Sequence, residues 1–211
     1  MDQPRLHVII DVTSHGSDAV ELSRLAIQGG APLLQLRPKG VTDAVAYETA
    51  CRVADLCADA EVRLIINDRI DLAQAVGAAG VHLGAHDVPV GVARRLLGAQ
   101  ALVGGTARDV PSAAAHQLDG ASYIGVGPIF PTASKAGLPD PLGVGAIIRV
   151  AAAVTIPIIA ISGVTVERVD ELIAAGAYGV AVIGAVSRAH DPAAAVMAFV
   201  QAIDRAVMRY G

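Results

Sequence analysis

Eight short apolar runs, separated by stretches of helical period, constrain this chain more than any other feature. They are Leu6 to Val12, Leu33 to Arg37, Val62 to Asn67, Gly80 to Leu83, Ala101 to Gly105, Ser122 to Val126, Pro157 to Ile161 and Gly179 to Ile183. Their length and near-continuous hydrophobicity fit strands covered on both faces. Four are preceded by a glycine of the kind that ends a helix, at Gly30, Gly77, Gly120 and Gly176. Between the runs, Val20, Ser23, Arg24 and Ile27 mark one helical stretch, and Ala44 to Asp59, Val166 to Ala175 and Pro192 to Val207 mark three more. Strand and helix alternate eight times without a linker or a shift in composition. The expected fold is therefore α/β, a single (β/α)8 TIM barrel spanning residues 1–211, near the lower size limit of that architecture. An open doubly wound sheet is the rival. It would place phosphate-binding glycines after the first strand, where this chain reads Asp11-Val12-Thr13-Ser14-His15-Gly16 and has no G-x-G-x-x-G.

Composition narrows the partners. Hydrophobic residues make up 54% and charged residues 17%, so a packed core is expected and disorder is not. Aromatics are only 3%, which leaves few platforms on which nucleic-acid bases stack. The net charge is −4 and no block of like charge occurs, which argues against nucleic acid or an acidic membrane and for small-molecule substrates. The longest uncharged runs, Val150 to Val166 and Leu172 to Ser187, are interrupted by Pro157 and Gly163 and by Gly176, Gly179 and Gly184, so neither reads as a spanning helix. Met1-Asp2-Gln3-Pro4-Arg5 lacks the basic start of a secretory signal, and a cytoplasmic location is expected. Cys51 and Cys57 match no metal or redox spacing and read as packing residues.

In a barrel, ligands bind at the C-terminal ends of the strands, and there the polar residues concentrate. Along Leu33-Leu34-Gln35-Leu36-Arg37-Pro38-Lys39, a period of two sends Gln35, Arg37 and, if the strand continues through Pro38, Lys39 to one side, with Leu34 and Leu36 facing the helices. Cations aimed at a barrel axis need a bound anion or an internal salt bridge to a carboxylate of a neighbouring strand, and the spacing alone leaves both open. Asp68, after the third run, and Asp87, after the fourth, fall on neighbouring strands; two carboxylates beside Arg37 and Lys39 suit Mg2+, while helix capping is the competing role for each. The longest loop, Gly127 to Gly137, carries Thr132, Ser134 and Lys135, suited to phosphate or else to a solvated loop. Glycines end the last two runs at Gly163 and Gly184, where many barrels hold a phosphate. His82-x-x-x-His86 spans a strand end rather than a helix, which argues against zinc; His82 is expected to line the barrel, and His7, His15, His116 and His190 to be surface or packing residues.

Gln35-Leu36-Arg37-Pro38-Lys39, Asn67-Asp68-Arg69, Val81-His82-Leu83-Gly84 with Asp87, Gly125-Val126-Gly127-Pro128-Ile129-Phe130-Pro131-Thr132 with Lys135, and Gly176-Ala177-Tyr178-Gly179-Val180-Ala181-Val182 resemble, in order, the thiamine phosphate synthase family. The resemblance runs from about residue 6 to Pro192 and implies a Mg2+-dependent transferase. Such an enzyme joins a hydroxymethylpyrimidine diphosphate to a thiazole phosphate and releases diphosphate. It further implies Gln35, Arg37, Lys39, Asn67, Thr106 and Lys135 as ligands of the pyrimidine diphosphate, with Arg37, Lys39, Thr106 and Lys135 supporting catalysis. Asp68 and Asp87 would bind the metal, and Thr132, Ser134, Gly163, Ile183 and Gly184 the thiazole phosphate. Departures from the family pattern fall at Pro38, usually acidic, at Ala85, usually glutamine, at Arg108, usually histidine, and at Gly184, often serine. Two alternatives share the barrel: a thiazole tautomerase, which has no diphosphate to bind and so no role for Asn67, Asp68, Asp87 and Lys135 together, and a non-catalytic barrel that binds a thiamine precursor and regulates a partner.

Overall fold

The computed structural model describes residues 3–12, 19–132, 137 and 139–210. Eight parallel strands, β1 (Leu6–Asp11), β2 (Leu33–Arg37), β3 (Arg63–Asn67), β4 (Gly80–Leu83), β5 (Leu102–Ala107), β6 (Tyr123–Val126), β7 (Ile158–Ile161) and β8 (Gly179–Val182), follow one another in space as in sequence. The ring closes where Leu6 of β1 pairs with Val180 of β8 and Val8 with Val182. The expected TIM barrel is the fold observed.

Strand alternation produces two separate apolar layers. Val8, Ile10, Leu34, Leu36, Ile66 and Val81 point outward into the large core shared with the helices. Ile9, Leu33, Ile65, Tyr123, Ile159 and Ala181 point inward and pack into a smaller cluster inside the barrel. Gln35 and Arg37 keep the phase of Leu33, so the same alternation carries them inward toward the C-terminal end.

The surrounding helices are α1 (Ala19–Gln28), α2 (Asp43–Asp59), α3 (Ile70–Ala75), α4 (Val90–Leu97), α5 (Val110–Leu118), α6 (Gly145–Ala151), α7 (Val169–Ala174), a short α8 (Gly184–Ser187) and α9 (Pro192–Tyr210). The Thr42 side chain accepts from the Val45 N–H to start α2, and a reciprocal Asp109/Ser112 capping box starts α5. The stretch expected as one helix from Val166 opens as a 3-10 turn, Val166–Arg168, before α7. Cys57 is buried against the core and burial pushes its thiol up to about 11, consistent with a packing role. Among the described residues no helix is long and apolar enough to cross a membrane.

Candidate active site

The half of the barrel mouth built by β1 to β4 holds charge against charge. Arg37, at the end of β2, forms an ion pair with the buried Asp11 at the end of β1, the register partner of Arg37. The internal salt bridge left open by the sequence is thus present, and Asp11 is the partner. Beyond Arg37 the strand does not continue: the Lys39 N–H turns back to the Arg37 carbonyl at 3.1 Å. Lys39 nevertheless reaches the site, in an ion pair with Asp68. The Gln35 amide donates to Asn67 Oδ1 at 2.7 Å, linking β2 to β3.

Asp68 sits in the left-handed region at φ 65°, its N–H donating to the His82 carbonyl at 2.9 Å. Asp87 is folded back so that its carboxylate accepts from the Gly84 N–H at 2.7 Å. Burial, and a side-chain hydrogen bond shared with Asp87, raise the Asp68 carboxyl above its ordinary range, against the opposing pull of Lys39. Neither aspartate caps a helix: Arg69 and Pro89 occupy the cap positions of α3 and α4, without a side-chain cap bond. Two carboxyl groups drawn together in a half-buried site form a hard-oxygen pair suited to a divalent cation. Among the described residues no cluster of three or more His, Cys, Asp or Glu is poised for a metal, so such an ion would complete its shell elsewhere.

A polar chain runs through the barrel beneath this half. The Tyr123 hydroxyl lies 3.0 Å from His82 Nδ1, and His82 Nε2 lies 3.0 Å from Thr106 Oγ1. Tyr123 is fully buried, and burial raises its phenol far above the ordinary value, so it stays protonated. The three groups form a continuous polar contact from the buried phenol to a hydroxyl that lines the cavity. Gly104 and Gly125 make room for this chain: a Cβ at Gly104 would overlap the Tyr123 ring, and one at Gly125 would lie 2.9 Å from His82 Cε1. At the floor of the barrel His7 stands edge-on to Tyr123 with ring centroids 4.9 Å apart. Desolvation, then repulsion from His82, lowers its pKa to about 3.

The β6 to β8 half is a different surface. A cavity of about 390 Å³ opens there, with Thr106, Thr132, Gly163, Ile183 and Gly184 in its wall together with Arg168 and Arg188, and with no aspartate or glutamate among its described lining residues. The segment after β6 lies along the end of β7, the Ile129 N–H donating to the Ile161 carbonyl at 3.0 Å and the Phe130 N–H to the Ser162 carbonyl at 3.1 Å. Ser162 and Gly163 both turn left-handed, and a Cβ at Gly163 would come within 2.5 Å of the Pro131 carbonyl, so only glycine lets the two loops touch. Arg168 braces this turn. Its guanidinium donates to the Gly163 carbonyl at 2.5 Å and stacks 4.0 Å over the Phe130 ring.

The structure brings the expected residues into two groups at one mouth. Gln35 with Asn67, Lys39 with Asp68 and Asp87, and Arg37 with Asp11 make up one; Thr132, Gly163, Ile183 and Gly184 form the other around the cavity, which Thr106 also lines. Thr106 lies inside β5 rather than beyond it, because that strand runs two residues further than its apolar run. Ser134, Lys135 and His15 lie outside the described residues. Asp11, Tyr123, Arg168 and Arg188 are additions that the sequence did not single out. Asp11 had a usable signal, a lone carboxylate in phase with Ile9 at the end of an apolar strand.

Comparison with known proteins converges on one family. Residues 6–186 match the family model described as thiamine monophosphate synthase. The thiamine-phosphate synthase of Salinispora arenicola is 49% identical over 202 residues, covering 94% of this chain and 97% of that protein. Its counterpart from Salinispora tropica is 48% identical over 201 residues, with the same coverage. The solved structure of thiamine phosphate pyrophosphorylase from Pyrococcus furiosus superposes with a TM-score of 0.86 at 29% identity, covering 96% of each chain. The matched span, the identity of these relatives and the shared barrel place the chain in the thiamine monophosphate synthase family.

Proposed function

We propose that this chain is a thiamine phosphate synthase acting in the cytoplasm, joining 4-amino-2-methyl-5-(diphosphomethyl)pyrimidine to a thiazole phosphate and releasing diphosphate. The observation that carries the reading is the division of the mouth: one half sets cations against carboxylates, and the other has two arginines and no carboxylate among its described lining residues. A reaction between one substrate that sheds diphosphate and another that carries phosphate needs two such anion sites side by side.

In this reading Gln35, Asn67, Arg37, Lys39, Thr106 and Lys135 bind the pyrimidine diphosphate, and Thr132, Ser134, Gly163, Ile183 and Gly184 hold the thiazole phosphate. The bond between the pyrimidine methylene carbon and the diphosphate oxygen breaks with its electron pair leaving on diphosphate. The thiazole nitrogen lone pair then forms the new carbon–nitrogen bond. No proton leaves the reacting carbon, so the chain supplies no general base; its contribution is electrostatic and positional. Asp11 fixes the Arg37 guanidinium before substrate arrives, which lowers the reorganisation needed as charge moves onto diphosphate. Thr106, oriented by the Tyr123–His82 chain, donates its hydroxyl to an anionic oxygen. One such contact lowers the barrier by about 2 to 4 kcal/mol in comparable preorganised sites.

Asp68 and Asp87 would hold Mg2+. The fit rests on the raised Asp68 carboxyl, whose repulsion from Asp87 a divalent cation relieves, and on a donor set of hard oxygens that leaves positions for phosphate oxygens and water. When bound, the ion neutralises charge on the diphosphate.

The test supplies both substrates with Mg2+ and follows diphosphate and thiamine phosphate together. Equal release of both products, dependent on both substrates, is expected. Isomerisation of a thiazole without diphosphate release, or binding without turnover, would overturn the reading in favour of a tautomerase or a regulatory barrel.

A further inference from the structure

Asp68 is held in a conformation that an aspartate does not adopt unaided. The Arg69 N–H donates to the Asn67 carbonyl at 2.8 Å, which makes Asp68 the middle residue of a three-residue turn at φ 65°. A non-glycine residue in that region is strained and persists only where its surroundings fix it. The next residue supplies the fixing. Arg69 Nε and Nη2 donate to the two carboxylate oxygens of Asp71, in the first turn of α3, at 2.8 and 2.6 Å, and Nη1 donates to Asp43 Oδ1 at 2.7 Å. Asp43 opens α2, shortly after Lys39 in the chain. One guanidinium therefore fastens the loop after β2, which carries Lys39, to the loop after β3, which carries Asp68.

From this we infer that Arg69 is a positioning residue for the Asp68–Lys39 ion pair. Its guanidinium is engaged by Asp71 and Asp43, so it acts through the backbone of the turn and the spacing of the two loops rather than on a ligand. Lys39 is half exposed, and a long side chain in solvent keeps one carboxylate as its partner only if the loops bearing both stay in place. An isolated pair at the surface contributes little. A planar fork that engages both oxygens of one carboxylate while reaching a second fixes geometry as well as charge. Asp71 aims the guanidinium, and Asp43 is the arm that crosses between the loops. Arg69 thereby acquires a task within the Asn67-Asp68-Arg69 motif. The inference rests on the reading of Asp68 as a Mg2+ ligand: the held turn keeps its carboxyl group beside that of Asp87.

The experiment takes two readouts from the full chain. Hydrogen exchange of the Asp68 amide, which donates to the His82 carbonyl, follows the turn without metal, and Mn2+ titration by electron paramagnetic resonance follows the cation site. In Arg69→Gln the Asp68 amide should exchange about 3- to 10-fold faster, and Mn2+ should bind about 3- to 10-fold more weakly, while amides inside β1 exchange as before. The direction of the metal effect is decisive. Removing a positive charge near a cation site tightens Mn2+ by Coulomb attraction alone, so weaker binding reports lost geometry. Arg69→Lys, which keeps the charge without the fork, should fall between. Asp43→Asn should also speed Asp68 exchange, and adding it to Arg69→Gln should change little more, because both remove one contact. Unchanged Asp68 exchange in Arg69→Gln overturns the inference, as does exchange quickened evenly over the strands, or equal or tighter Mn2+ binding by the variant of a chain that binds it. Faster Asp68 exchange in the variant of a chain whose wild-type form binds no Mn2+ would count against the Mg2+ reading and leave the positioning role of Arg69 standing.

Discussion

The two halves of the barrel mouth solve opposite electrostatic problems. From β1 to β4, Arg37 meets Asp11, Lys39 meets Asp68, and Asp68 meets Asp87, so the folded chain carries partners for its own charges before any ligand arrives. From β6 to β8, backbone and glycine shape a cavity whose described lining has two guanidinium groups and no carboxylate. The difference teaches where each half takes its stability from. Internally paired charge is held by the fold and is costly to disturb. Guanidinium groups that line an open cavity act first on what binds there, so changes there fall on affinity.

Substitutions can break that contrast. Asp68→Ala, in the paired half, should lower kcat about 100- to 1000-fold and abolish the response to added Mg2+, read from steady-state rates with both substrates saturating. Wild-type turnover in that variant would remove Asp68 from the chemistry. Next in size, Arg37→Ala leaves Asp11, only 3% exposed, without its guanidinium and should destabilise the chain by about 3 kcal/mol, seen as a lower urea midpoint at an unchanged slope. On the other half, Arg168→Gln should raise KM for the thiazole phosphate about 10-fold, roughly 1.4 kcal/mol, with KM for the pyrimidine diphosphate held. If it instead lowers kcat at saturation of both substrates, the halves are not separable.

The smallest effect concerns the floor of the barrel. His7 is buried neutral, with its pKa lowered by desolvation from 6.5 to about 3. The unfolded chain takes up this proton below pH 6.5 while the folded chain does not, so stability is complete above 6.5 and is lost as pH falls toward 3. From pH 7 to 5.5 the loss is about 1 kcal/mol, and His7→Gln should flatten that part of the stability profile.

Much of the architecture was legible because it depends on local period. All eight strands lie within two residues of their apolar runs, and the alternation through Leu33 to Arg37 placed Gln35 and Arg37 inside correctly. Asp68 and Asp87 could be brought together because consecutive strands are neighbours in such a barrel. Two short helices, α5 and α6, went unlocated because seven to nine residues hold too few turns to show an apolar stripe. Arg168 and Arg188 were invisible for another reason. Their positions depend on a 3-10 turn and a four-residue helix whose geometry is set by tertiary contacts, such as the bracing of Gly163, and not by the residues themselves. Tyr123 was hidden in an apolar strand, where nothing nearby signals that its hydroxyl would find His82.

The inner glycines of β5 and β6 bear on how this sequence can change. Because the Tyr123 ring fills the space that a side chain at Gly104 would need, and His82 crowds Gly125, volume inside the ring is exchanged between neighbouring strands rather than assigned to either. Drift at these positions must then come in matched pairs, one residue shrinking as its neighbour grows, and a library that randomises either site alone would recover almost nothing but the parent.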